Sequence, residues 1–539
     1  MGRKRKFETM EKQKTNEKIK RLEHAIYPFL SVGEIAFYTF SWIFVHGYAW
    51  YLVYKLSRKF YPVLVSNGII TKTQLNACLP FEADYSNWEW KVFSANLAYS
   101  IPWIAFHFAT SQILRRISKD MIPIFNVMLS AIYLEQIIGI KPLMWMMSQT
   151  LAFFTVHLLA SPVLVWMVAL SFLFAEKEWS GPLNDANKFF LQDVNEVEHY
   201  VFTVAWAWLN LRCISFCLDR ISMKVSPLSK LKMDSFIQML AYCFYIPVNI
   251  SGPIILFRDF HKGFNKQYEK WSLNRMINFA LQVCRFSFWL LMGHVIIHFF
   301  YFSSFTYNMD ILTSLDVWTL AGVGLSVAGF FNIKYTVFYG WSRPFVVADG
   351  IDMAPLPPKC VYRIHLYSDM WRYFDRGLHL FLKTYIYLPV AEYREGILMK
   401  IVGSLATFGF IYLWHGASYH LMLWSLFNYF AVITELIARS IGKHPTYANI
   451  ENKYLSPRGK RRFHALLAAP LYVGSVLANF YFFMGADVGH YFVQRILWSW
   501  PIETPIVLLL SYMGNQVSIE VRNWELRKHL VHFTKMKDN

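Results

Sequence analysis

The chain has 539 residues, of which 55% are hydrophobic, 18% aromatic and only 16% charged, and its mean hydropathy is +0.29. Soluble domains carry about a quarter of charged residues, so this composition excludes an ordinary string of soluble domains. The excess of 53 Lys+Arg over 35 Asp+Glu, +18 in all, would suit nucleic acid in a soluble protein; flanking apolar runs, it reads as membrane topology, with no nucleic acid as partner.

In chain order, a basic head comes first: Arg3, Lys4, Arg5, Lys6, Lys12, Lys14, Lys18, Lys20 and Arg21 precede any apolar run. A nuclear address is the alternative reading of such a cluster, but an insoluble body follows it. The opening MGRKRK lacks the Ser or Thr at position six that N-myristoylation needs. No cleavable signal peptide is expected, because the first apolar run is long and lies behind polar residues.

Apolar runs then recur at 34–54, 93–113, 121–140, 142–175 (long enough for two), 199–218, 277–303, 316–340, 397–415, 420–440, 465–485 and 490–513. Each is near the ~20 residues that cross a hydrocarbon core. The expectation is an all-α, polytopic membrane protein of about ten to twelve helices, since only helices and closed barrels satisfy their backbone in lipid. Three parts follow: a basic cytosolic segment at 1–30, a transmembrane body at 31–513 and a cytosolic tail at 514–539. Arg527, Lys528, Lys535 and Lys537 follow the last run, so both termini are expected in the cytosol and the crossings should be even in number. Lys535 and Lys537 also resemble a dilysine signal for retrieval to the endoplasmic reticulum membrane.

Three stretches depart from plain crossings. The segment 176–198 is acidic, with Glu176, Glu178, Asp185, Asp193, Glu196 and Glu198, and reads as a lumenal loop. Basic flanks at 219–232 and 258–275 bracket an apolar stretch interrupted by Pro247, Gly252 and Pro253, so 235–257 is expected to be a broken, re-entrant element buried in protein. Its Asn249 sequon would stay unmodified at that depth. The third, 341–396, opens with Pro355, Pro357 and Pro358 and then mixes Cys360, Arg363, Asp369, Trp371, Arg372, Asp375, Arg376, Lys383 and Arg394 with apolar residues. It should lie at the cytosolic interface and dip inward.

The six cysteines offer no spaced disulfide framework, and Cys213 and Cys217 read as a buried pair on one helix face. Among histidines in apolar runs, His294 and His298 have the spacing of a metal pair but no third ligand nearby, and read as structural. His415 stands at the end of IVGSLATFGFIYLWHG. An ionisable group at that depth is functional by default, with a capping or core histidine as the bland alternative.

Three blocks, LAYCFYIPVNISGPIILFRDF (240–260), SDMWRYFDRGLHLFLKTYIYLPV (368–390) and LWHG (413–416), resemble the membrane-bound O-acyltransferase family. Asp375 and His415 are 415 − 375 = 40 residues apart, like that family's two signature polar residues. Most of the family has Asn at the first position; Asp375 is similar to the branch that N-palmitoylates secreted proteins of the Hedgehog type. The resemblance covers about 230–500 and implies an acyl-CoA-dependent acyltransferase fold. His415 would then be the general base, a task imidazole performs without a large shift. Asp375 would orient the imidazole or position the acceptor, although an ion pair with Arg372 or Arg376 is an alternative. Trp371 resembles an aromatic gate between acyl chain and acceptor, and Asn479 a polar site residue. Arg372 and Trp414, beside Trp371 and His415, join the substrate-contacting set. Cys360 aligns with a cysteine that holds haem iron, implying haem b on the cytosolic side, with a palmitoylated or idle loop cysteine as the equal alternative.

The donor so implied is palmitoyl-CoA from the cytosol, and the acceptor is the N-terminal cysteine amine of a secreted protein, with membrane lipid surrounding both. A lysophospholipid, a glycerol derivative or a protein serine is the alternative acceptor. A transporter or scaffold is the reading from another class, but a transporter calls for paired broken helices and only one such break is visible.

Overall fold

The computed structural model describes residues 19–538 except 21, 24, 176–181, 224–232, 251 and 355–356. The basic head through Lys18, Arg21, the loop residues Glu176, Lys177 and Glu178, the bases Lys224, Lys230 and Lys232, Ser251 of the sequon and Pro355 lie outside the described residues, as do the side chains of Lys535 and Lys537.

The helices that frame the molecule and its cavity are α1 Val32–Ser66, α2 Trp88–Ile117, α3 Ile122–Ile138, α4 Ile140–Leu158, α5 Pro162–Ala175, α6 Glu196–Ser222, α7 Met233–Cys243, α8 Phe257–Phe264, α9 Leu273–Phe299, α10 Val317–Gly340, α11 Tyr367–Tyr373, α12 Arg376–Leu382, α13 Ile397–Trp414, α14 Tyr419–Gly442, α15 Pro457–Leu497 and α16 Glu503–Asp538. Their starts follow local chemistry. Asn195 and Glu198 form a reciprocal capping box on α6, and Asp316 accepts from the Trp318 and Thr319 N–H groups at the head of α10. Among the described residues there is no strand, only an isolated bridge between Thr71 and Ala83.

Among the described residues seven stretches are long and apolar enough to cross a membrane: Lys119–Ile138, Glu196–Ser222, Leu273–Phe299, Val317–Ala348, Ile397–Trp414, Tyr419–Gly442 and Pro457–Leu497. The expected runs 34–54 and 93–113 lie inside α1 and α2, and 142–175 divides into α4 and α5 at a turn where Ala160 has φ 52°; these four helices fall short of that standard in length or apolarity. The expected run 490–513 is a correction. Helix α15 ends at Leu497 and α16 starts at Glu503, with Pro501 in the turn between them, where a residue lacking an N–H cannot continue a helix. Helix α15 is itself interrupted at Gly485, whose φ of 83° is non-helical. Helix α16 passes residue 513 without a break, and Asn515, Gln516 and Asn523 beyond it are buried.

Helix α6 is the hub, with 78% of its most apolar window buried against 17% for α9. It packs on α4, α5, α7 and α8, while α10 packs on α1 and α9, and α15 on α14 and α16. The 235–257 element is broken as expected. After α7 come a single 3-10 turn at Ile246–Val248 and, at 252–256, a buried segment with neither helix nor strand. Its freed carbonyls find donors: Arg212 of α6, fully enclosed, donates to the carbonyls of Cys243, Val248 and Asn249. Tyr242 donates to Ile255 at 2.6 Å and Ser130 to Phe244 at 2.6 Å. A buried backbone without such partners would cost several kcal/mol. Cys213 and Cys217 are buried, and the Cys213 sulfur lies 3.8 Å from that of Cys243.

Candidate active site

Helices α2, α6, α10, α11, α12, α14 and α15 surround a cavity of about 650 Å3, a size suited to small-molecule sites. His415, Asp375, Trp371, Trp414 and Asn479 all contribute to its wall. Arg372 and Cys360 do not.

His415 caps the C-terminus of α13, its N–H bonded to the Ile411 carbonyl at 3.0 Å. Gly416 follows with φ 113° and turns the chain sharply into α14. The imidazole sits among ring edges: Trp414, Trp424 and Phe482 have centroids 4.7, 5.3 and 5.1 Å away, all near perpendicular. Among the described residues neither ring nitrogen has a hydrogen-bond partner. The ring is held by packing and its nitrogens are left for whatever occupies the cavity.

Asp375 caps the N-terminus of α12. Its Oδ1 accepts from the Leu378 N–H at 2.8 Å and its Oδ2 from the Tyr339 hydroxyl at 2.8 Å. Burial pushes this carboxyl above its ordinary range, against the pull of those two donors. Of the two tasks expected of Asp375, orienting the imidazole has no hydrogen bond in support among the described residues. The alternative ion pair is absent too: Arg372 lies 3.7 Å from Asp369, and Arg376 stands over the Tyr373 ring. Within the described residues no cation pairs with Asp375.

Three tryptophans of the wall are pinned through their indole N–H groups. Trp371 donates to Asn428 Oδ1 at 3.1 Å and Trp424 donates to Asn479 Oδ1 at 3.1 Å. Asn428 returns a 2.8 Å bond to the Trp424 carbonyl, so the four residues form one connected set beside His415. Trp414 donates to the Ala207 carbonyl at 2.9 Å.

Several wall residues escaped the sequence reading. Tyr335 and Tyr339, one turn apart on α10, each donate to a carboxylate of the cavity, Glu89 at 2.8 Å and Asp375. The neighbouring Lys334, also on α10 and buried, pairs with the other Glu89 oxygen. A lysine inside the apolar run 316–340 was a visible signal of a buried partner; the partner itself, outside that run, was not.

Cys360 is half-buried, next to the turn Val361–Arg363, with Lys359 and Arg363 both paired to Glu525 of α16. Burial pushes its thiol up, and the Tyr362 N–H and Arg363 pull it back. No group of three metal-ligating side chains occurs among the described residues. His298 Nε2 meets Thr73 at 2.9 Å and His294 Nδ1 meets Tyr85 at 3.2 Å, a structural arrangement.

The chain matches the model of the MBOAT, membrane-bound O-acyltransferase family, over residues 183–477, more than half its length. It is 29% identical over 344 residues to protein-cysteine N-palmitoyltransferase Rasp of Drosophila melanogaster, covering 64% of this chain and 66%, just under two thirds, of that relative. Against protein-cysteine N-palmitoyltransferase HHAT of Mus musculus it is 27% identical over 483 residues, 88% of this chain and 95% of the relative. Membrane-bound O-acyltransferase GUP1 of Millerozyma farinosa is 26% identical over 305 residues, 54% of this chain and 56% of that protein. With its helical membrane architecture and the extent of that match, the chain belongs to the membrane-bound O-acyltransferase family.

Proposed function

We propose that this membrane acyltransferase moves a palmitoyl group from palmitoyl-CoA to the N-terminal cysteine amine of a secreted, Hedgehog-like signalling protein. The observation that carries the reading is His415, whose free imidazole nitrogens share one cavity with a carboxylate that lacks a cation, Asp375. An α-ammonium supplies the missing charge, and charge-assisted hydrogen bonds are the strong ones. Asp375 therefore positions the acceptor. His415 takes one proton from the ammonium, which frees the nitrogen lone pair to attack the thioester carbonyl carbon; the C–S bond breaks, and the CoA thiolate leaves as thiol with the second proton that the new amide nitrogen sheds. A base so placed contributes about 100- to 10,000-fold.

The relatives named as N-palmitoyltransferases support this acceptor, while the GUP1 relative, named an O-acyltransferase, keeps a hydroxyl acceptor in view as the alternative. The basic residues of 343–394 and 258–275 suit CoA phosphates arriving from the cytosol, although topology charge explains them too. Residence in the endoplasmic reticulum membrane with both termini cytosolic rests on the charge pattern alone.

Haem b is part of the proposal. Cys360, half-buried beside the turn Val361–Arg363, would hold the iron through its sulfur, and no part of acyl transfer runs through the group. A Soret band lost in Cys360→Ser supports the ligand; a band unchanged by that substitution rejects it.

The deciding experiment offers labelled palmitoyl-CoA, in detergent, to an N-terminal cysteine peptide, the same peptide with its amine acetylated, and lysolipids. Labelling of the free-amine peptide alone is expected. Preferential labelling of lysolipid would replace the proposed acceptor.

A further inference from the structure

The cavity has two unlike ends. Along α10 its wall runs from Leu325 to Tyr339, a helical rise of about 21 Å. The reacting groups lie at the Tyr339 end: Tyr339 binds Asp375, and Phe482 of α15 touches His415. At the opposite end α10 contributes Leu325 and Ala328, α15 contributes Tyr472 and Val476, and Tyr362 stands across from them.

Tyr362 is fixed from three directions. Its hydroxyl donates to the Leu325 carbonyl at 2.6 Å, its ring lies 4.4 Å from that of His46 on α1, and its carbonyl accepts from the Trp42 indole at 3.1 Å. Gly329 makes this seat. A Cβ on that residue would fall on the Tyr362 hydroxyl, so only glycine lets the phenol lie flush with α10.

Toward Tyr362 the wall is mainly apolar, with Ala328, Met370 and Val476; Ser475 also lines it, and the amides of Asn428 and Asn479 are engaged by Trp371 and Trp424, whereas a further part of the wall carries the charged Glu89 with Asn96 and Thr203. A fatty chain gains roughly fourfold in binding for each methylene it buries. It therefore runs toward Tyr362, leaving the polar part to the acceptor.

We propose that Tyr362, seated on Gly329, is the specificity-determining residue that sets the length of acyl chain the cavity accepts. The inference rests on the acyl-transfer reading and adds to it a ruler built from two named residues. Removing the phenol lengthens the limb. Adding a methyl at Gly329 forces the phenol into the limb and shortens it.

The test is transfer from a series of saturated acyl-CoAs of twelve to twenty carbons to one acceptor peptide, each donor in competition with palmitoyl-CoA. Tyr362→Ala is expected to favour longer donors, by roughly fourfold for each methylene newly accommodated. Gly329→Ala is expected to favour shorter ones, and Tyr362→Phe to leave the profile near that of the wild type. Profiles that coincide with the wild type in both alanine variants overturn the ruler even when total activity falls, because a purely structural role lowers all donors together. Should Tyr362→Ala fail to fold, Gly329→Ala decides alone by the same criterion. A wild-type protein that transfers no acyl group from any donor to peptide or lysolipid overturns the function itself, an outcome distinct from a changed or unchanged profile.

Discussion

Replacing Asp375 separates its two contributions. In Asp375→Ala the first turn of α12 loses its cap, a cost of about 1 kcal/mol, and the buried Tyr339 hydroxyl loses its acceptor, a further cost of about 1–3 kcal/mol. Together these predict a loss of about 2–4 kcal/mol, a large part of the margin of an ordinary domain. Asp375→Asn keeps the cap, since its amide oxygen accepts from the Leu378 N–H equally well, and the Tyr339 hydroxyl can rotate to accept from the amide. Its stability should fall by less than about 1 kcal/mol. What the asparagine lacks is the charge that holds an ammonium. A charge-assisted hydrogen bond of about 1.5–3 kcal/mol corresponds to a loss of roughly 10- to 150-fold in kcat/KM for the peptide. Thermal unfolding in detergent reads the first quantity and steady-state acylation with varied peptide reads the second. An asparagine variant as unstable as the alanine one, or one with wild-type kcat/KM, would refute the division of labour.

Three further outcomes are expected. Asn428→Ala leaves the Trp371 indole N–H without its acceptor in a buried site, so stability falls by about 1–3 kcal/mol, and the loss should shrink markedly in a Trp371→Phe background, where no N–H remains; unfolding of the double-mutant cycle reports the coupling. Glu89→Gln strands Lys334, which is only 4% exposed, and should destabilise by about 3 kcal/mol or more, with Lys334→Met recovering most of it, because a buried charge costs most when it loses its partner. Burial, with Arg522, Lys359 and Arg439 nearby, holds His365 down to about 3, below its unfolded value near 6.5. A histidine depressed in this way contributes stability that is present above pH 6.5 and lost as pH falls toward 3, by about 1.4 kcal/mol per pH unit, so His365→Gln should flatten the unfolding profile between pH 6 and 4.

Much of the site was legible because it depends on depth and order in the chain. A histidine closing the apolar run 397–415 before a glycine is visible as an expensive group at a helix end, whereas Asp375 stood out only through the resemblance of its block to the acyltransferase family, and its capping role came from the structure. The broken element 235–257 was readable from Pro247, Gly252 and Pro253. Its stabilisation by Arg212 was not, since a guanidinium inside the run 199–218 gives no hint of which carbonyls it will reach. The same limit hid Trp424, Asn428 and Glu89. Their roles come from how α14 and α2 cross the other helices, and crossing geometry is set by packing of whole faces and not by local pattern. Arg372 was placed with the substrate set because it neighbours Trp371, but adjacent helix residues point about 100° apart, and its side chain turns out of the cavity toward Asp369. The run 490–513 failed as a single helix because hydropathy ignores Pro501.

The most direct measurement is single-turnover transfer from labelled palmitoyl-CoA to an N-terminal cysteine peptide by His415→Ala, with its unfolding in detergent recorded alongside. With a base removed from an otherwise intact cavity, the rate should fall by about 100- to 10,000-fold while unfolding stays close to that of the wild type. Peptide labelling at the wild-type rate by a folded His415→Ala protein would contradict the assignment of this imidazole as the group that takes the proton.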